Sequence, residues 1–110
     1  MNFTIDVNEV GNKVEVQIKG EIDAYTAPKL KEALVPLANR DQVHIVVNMA
    51  EVSYMDSTAL GVFVGIFKQV RARGGEFSLI GLSDRLKRLF DITGLADIIH
   101  ITSDTKGGIR

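Results

Sequence analysis

The sequence predicts a mixed α/β domain, a small β-sheet opened by a hairpin with helices packed on it, in the order β-β-α-β-α-β-α-β. Three observations predict it. Apolar and polar residues alternate over two short runs at the start. After residue 28 the apolar spacing switches back and forth between the helical and the strand period. Strands separated by helices pair in parallel through crossovers, while the opening hairpin supplies an antiparallel pair. A chain of 110 residues has room for one folded unit, so residues 1–110 are expected to form a single domain.

The elements follow in order. Phe3, Ile5 and Val7 predict a first strand. Gly11-Asn12 is a turn signal, and Val14, Val16 and Ile18 predict a second strand that Gly20 closes. Residues 21–28 read as a loop entering a helix, with Thr26 as N-cap and Pro28 in the first turn, where its missing N–H is not needed. Leu30, Leu34 and Leu37 carry that helix to a loosened end near Asn39, after Pro36. Val43, Ile45, Val46 and Val47 predict a central strand covered on both faces, and residues 49–56 a loop.

A second helix is expected from Ser57 to Arg73, stopped by Gly74-Gly75. Its Leu60, Val62, Phe63, Val64, Ile66, Phe67 and Val70 occupy most of the circumference, which predicts burial of the first turns. Gly61 and Gly65 are expected to let this helix approach the sheet closely. Phe77, Leu79 and Ile80 make another strand. Ser83 caps a third helix, Leu86, Leu89, Phe90 and Ile92 form its buried stripe, and Gly94 stops it. Ile98 to Ile101 is a last strand, and residues 102–110 read as a flexible tail.

Composition narrows the function. The absence of cysteine excludes disulfides, thiolate metal sites and cysteine nucleophiles, and two histidines are too few for a zinc site of the usual kind. A net charge of -1 gives no bulk attraction to nucleic acid. The charge is unevenly spread: residues 1–67 hold 5 Lys+Arg against 9 Asp+Glu, and residues 68–110 hold 8 against 5. The N-terminus lacks a basic stretch followed by an apolar one, so no signal peptide is read there. The charge-free run Ser57 to Phe67 is far shorter than the roughly 20 residues a bilayer requires. The expectation is a cytoplasmic protein with no membrane and no direct nucleic-acid partner.

No Gly-x-Ser-x-Gly elbow, Walker A sequence or dinucleotide fingerprint occurs. His44 and His100 fall in predicted strands, and no carboxylate pair is fixed for acid–base work. The chain is therefore not expected to be an enzyme, and no catalytic residue, metal or cofactor is assigned. Attention falls on Met55-Asp56-Ser57-Thr58-Ala59-Leu60-Gly61, at the edge outside the carboxyl ends of strands where α/β sheets gather their sites. Two readings stay open from spacing alone. Asp56 or Ser57 is an N-cap, or Ser57 is a phosphorylatable hydroxyl at a helix N-terminus that tolerates an anion. In the second, about 1.5 to 2 negative charges join a rim that already holds Glu21, Asp23 and Asp56.

Three segments resemble the STAS-domain anti-sigma factor antagonists, close to the kind that controls the general stress sigma factor of Gram-positive bacteria. They are Gly20-Glu21-Ile22-Asp23-Ala24-Tyr25-Thr26-Ala27-Pro28, Tyr54-Met55-Asp56-Ser57-Thr58-Ala59-Leu60-Gly61-Val62-Phe63, and Gly81-Leu82-Ser83 through Phe90-Asp91-Ile92-Thr93-Gly94-Leu95. The resemblance covers almost the whole chain and implies a STAS fold and a partner switch. The unmodified protein binds an anti-sigma factor that is also an ATP-using serine kinase, and the sigma factor is released. Phosphorylation of Ser57 ends the binding, and a metal-dependent serine phosphatase restores it.

The resemblance places Asp23 and Asp56 beside the acceptor and makes Tyr25, Tyr54, Met55 and Leu60 candidate contacts, with Glu21 on the same rim. Thr58 is read as structural or orienting. Asp23 either holds the loop for the kinase or makes an Asx-type turn before the helix, and Leu60 also fits the core. Many relatives carry Gly where Ala59 stands. A ligand- or nucleotide-sensing STAS domain and a non-phosphorylated scaffold subunit are the competing functions.

Overall fold

A computed structural model describes residues 3–103. Five strands form one sheet in the order β1-β2-β3-β4-β5: β1 Phe3–Val10, β2 Lys13–Ile22, β3 His44–Met55, β4 Glu76–Ile80 and β5 His100–Ile101. β1 and β2 are antiparallel, and the remaining neighbours are parallel. The helices are α1 Ala27–Ala38, α2 Ser57–Ala72 and α3 Asp84–Thr93, with a 3-10 turn at Leu95–Asp97 before β5. This is the predicted mixed α/β order.

One core holds the parts together. Val14, Val16 and Ile18 of β2, Ile45, Val47 and Met49 of β3, and Phe77 and Leu79 of β4 meet Leu30 and Leu34 of α1, Phe63 and Ile66 of α2, and Leu86 and Phe90 of α3. Alternation along each strand puts these residues on one face of the sheet. Val46 points to the other face, beside Ser78 in register, and is buried, but His44 and Asn48 on that face are only half-buried and the core that meets the helices lies on the first face, so the expected cover on both faces of β3 is only partial.

The expected loop over residues 49–56 is strand as far as Met55. Its register against β2 explains why it escapes a period-two reading. Gln17 pairs with Asn48 but Lys19 with Glu51, and Gly20 pairs with Val52 but Glu21 with Tyr54. At each shift β3 holds one residue more than β2, a pair of bulges that leaves Met49, Val52 and Met55 buried at every third position. Asn48 Oδ1 accepts the Ala50 N–H at 2.9 Å across the first bulge. Gly81 packs against the same place with φ +73, where a Cβ would lie 3.0 Å from Asn48 Oδ1 and 3.1 Å from Ala50 N, so glycine is required. β2 likewise runs through Gly20 to Ile22, two residues past its expected close.

α3 follows its sequence signals. Ser83 accepts the Leu86 N–H at 3.3 Å, and Gly94 ends the helix in the left-handed conformation at φ 81. Ile92, expected in the buried stripe, is 76% exposed, while Leu86 and Phe90 are buried. The last strand is shorter than expected, because Leu95–Asp97 coils into the 3-10 turn and Ile98 follows it outside the ladder. Thr102 is tied in, donating its N–H to Leu79 O at 3.0 Å and accepting that of Leu82 at 3.3 Å. From residue 104 on, the expected tail lies outside the described residues.

Candidate functional site

The carboxyl ends of β2 and β3 bring two sequence-distant segments together. Glu21 pairs with Tyr54 and Ile22 with Met55, and the Asp56 N–H donates to Ile22 O at 3.2 Å. The Asp23–Thr26 turn and the start of α2 therefore share one rim. The two bulges in β3 set where this strand ends and thus where Ser57 emerges.

Asp56 is the cap of α2. Its backbone is extended, and its Oδ1 accepts the N–H groups of Thr58 at 3.0 Å and Ala59 at 3.2 Å. Leu60 N–H donates to Asp56 O at 3.3 Å. With the cap supplied by its neighbour, Ser57 stands exposed as the first helical residue, and its hydroxyl makes no hydrogen bond among the described residues. Of the two capping readings left open by spacing, Asp56 holds. Asp56→Ala is expected to lower unfolding stability by about 1 kcal/mol, measured by urea denaturation.

Around this hydroxyl, Thr58 and Glu21 are exposed and Asp23 is half-buried. Tyr25 is 78% and Tyr54 48% exposed, both large aromatic residues open to solvent. Tyr54 ends a strand and does not sit in a loop. Met55 and Leu60, expected among the contact residues, belong to the core, so their side chains support the rim from beneath. Met55 falls on the core-facing side of β3 and Leu60 on the core-facing side of α2.

Asp23 makes the Asx-type turn, accepting the N–H groups of Tyr25 at 2.9 Å and Thr26 at 3.1 Å on Oδ1. Thr26 sits at the N-cap position of α1 but does not cap it through its side chain. The expected capping bond is absent because the Thr26 backbone is helical rather than extended and its hydroxyl is already engaged upstream, while Lys29 and Leu30 donate to the Thr26 carbonyl at 3.0 and 3.1 Å. Sequence reasoning missed the real use of this hydroxyl, which joins Glu21 to Asp23.

The glycines of α2 also differ from expectation. A Cβ at Gly61 or Gly65 would meet nothing within 4 Å, and both residues are exposed. They do not serve approach to the sheet. They lie with Thr58, Val62, Lys31 and Val35 along a shallow groove of about 310 Å³ between α1 and α2. The first turns of α2 are accordingly buried on one side only, through Ala59, Leu60, Phe63 and Ile66.

This order of elements recurs elsewhere. Residues 4–107 match the family model described as STAS domain. The chain belongs to the STAS domain family. The STAS chain is 53% identical over 110 residues, the whole of both chains, to the "Anti-sigma-B factor antagonist" of Bacillus subtilis (strain 168). It is 54% identical over 102 residues, 92% of this chain and 90% of the relative, to the protein of the same name in Listeria monocytogenes serovar 1/2a. Its fold is like that of an anti-sigma factor antagonist from Mycobacterium paratuberculosis, with a TM-score of 0.81 at 22% identity over 92% of this chain and 86% of that one. No helix among the described residues is long and apolar enough to cross a membrane.

Proposed function

We infer that this STAS domain is an anti-sigma factor antagonist, a regulatory binding protein and not an enzyme. The full-length identity to proteins of that name supports the reading. The single observation that carries the mechanism is the Ser57 hydroxyl, exposed at the first turn of α2 while the adjacent Asp56 caps the helix.

The unmodified rim binds an anti-sigma factor that is also an ATP-using serine kinase, in the cytoplasm, and the sigma factor is set free. The kinase transfers the γ-phosphoryl group of ATP to Ser57 Oγ, with the hydroxyl proton lost and ADP leaving. The product tolerates the new group, since helix N-termini favour anions. The surface does not remain compatible with the partner. About 1.5 to 2 negative charges and three acceptor oxygens now stand next to Asp56, on the rim that carries Glu21 and Asp23. Tyr25 and Tyr54 supply the aromatic area typical of an interface. A metal-dependent serine phosphatase hydrolyses the ester and restores the binding form.

Incubation with the anti-sigma factor kinase encoded in the same genome and ATP is expected to add the mass of one phosphate, located at Ser57 by fragmentation. Ser57→Ala is expected to bind and gain nothing. A phosphate on Thr58 with Ser57 bare would overturn the assignment.

A further inference from the structure

We propose that Thr26 is a positioning residue for the binding rim, its hydroxyl spent on fixing the Asp23–Thr26 turn and with it the exposed ring of Tyr25. This rests on the antagonist reading above and adds to it a residue with no surface of its own.

Thr26 is 2% exposed, and the other buried polar residue among those described is Ser78. A buried hydroxyl must be satisfied. This one donates at 2.9 Å to the carbonyl of Glu21, one residue before β2 ends, and accepts the Asp23 N–H at 2.9 Å. Asp23 Oδ1 lies 3.3 Å from the same oxygen and in turn accepts the Tyr25 and Thr26 N–H groups. Ala27 N–H donates to Asp23 O at 2.8 Å. One buried oxygen thus closes a small network that spans the end of β2, the turn and the start of α1.

The Thr26 hydroxyl has no helix-capping role to explain it, because the carbonyls of Asp23 and Thr26 serve the first turn of α1. The Thr26 methyl is buried with Ile22 and Ala27, which flank the turn, but the turn residues Ala24 and Tyr25 are exposed and gain no packing from it. What the network does fix is the backbone under Tyr25. That ring is itself 78% exposed, so its own packing does little to hold it. A contact ring presented on an ordered turn binds without the cost of ordering that turn on association.

The test compares wild type, Thr26→Val, Thr26→Ser and Ser57→Asp. Association with the anti-sigma factor kinase from the same genome is measured by calorimetry, well below every variant's melting midpoint. Thr26→Val keeps the shape and removes the hydroxyl. It is expected to weaken binding about tenfold or more. Thr26→Ser keeps the hydroxyl and is expected to bind within about twofold of wild type, although it loses a buried methyl and melts earlier. A merely structural role predicts the opposite pattern, with binding following melting temperature.

Amide exchange on the wild type gives a second reading that no failure to fold can remove. The amides of Asp23 and Tyr25 are expected to exchange more slowly than that of Ala24, which makes no hydrogen bond among the described residues. The proposal is overturned if Thr26→Val binds as wild type while Ser57→Asp does not, or if those amides exchange as fast as that of Ala24. If Ser57→Asp binds as wild type, it is the antagonist reading that fails, and the exchange data still judge the turn.

Discussion

Ser57→Asp is expected to lose affinity for the anti-sigma factor kinase by at least about tenfold, and the Ser57 phosphoprotein by about a hundredfold or more. A carboxylate set where the partner closes on a bare hydroxyl joins the acidic Glu21, Asp23 and Asp56 and is desolvated without a counter-charge, which costs several kcal/mol, and each 1.4 kcal/mol is a factor of about ten. The aspartate supplies one charge and less bulk, so it reproduces only part of the effect. Isothermal calorimetry at two salt concentrations measures both. Raising the salt is expected to recover some of the Ser57→Asp loss, because the rim is solvent-facing and screened.

The same substitution has the opposite sign on the fold. A carboxylate in the first turn of a helix is favoured by about 0.3–1 kcal/mol, so Ser57→Asp is expected to melt no earlier than wild type. A variant that is at least as stable and binds far worse separates repulsion at the contact from damage to the domain. Equal affinity for Ser57→Asp and wild type would sink the charge account. Ser57→Ala removes no cap, since Asp56 provides it, and is expected to leave both stability and binding near wild type.

The sequence made α3 and the start of α2 legible because their signals are local. Ser83, Gly94 and Asp56 act on backbone groups within a turn of themselves. The second half of β3 was illegible for a physical reason. Two bulges change its buried spacing from two to three, and only the pairing with β2 reveals that spacing as strand. Thr26 was legible in position and not in use: its residue type fits a cap, and the bond it makes instead runs to Glu21, five residues upstream. Gly61 and Gly65 were misread because helical spacing says that two residues share a face but not which way that face turns. The Ser57 rim itself was read from a motif, and the segments that form it, Glu21-Ile22 and Tyr54-Met55, came together only through the register of β2 on β3.

Phe63→Ala is expected to cost about 3–5 kcal/mol of unfolding free energy, far more than the loss of the Asp56 cap. Phe63 is fully buried, and its ring lies 6.3 Å from that of Phe77 and 6.4 Å from that of Phe90. It therefore joins α2 to both β4 and α3, and truncation leaves a cavity where three elements meet. Domains of this kind hold only about 5–15 kcal/mol in all, so the variant sits near its unfolding threshold at growth temperature. Guanidinium denaturation gives the loss directly. Phe63→Leu fills most of the space and is expected to lose markedly less, which distinguishes a packing effect from a special demand for an aromatic ring. The consequence for the rim follows from position. Phe63 lies less than two turns below Ser57 on the same helix. An α2 loosened at this point presents its first turn less steadily, so Phe63→Ala is expected to be a poorer kinase substrate even at temperatures where it is still mostly folded. An unchanged phosphorylation rate in the folded variant would show that the first turn is held by Asp56 and the end of β3 alone.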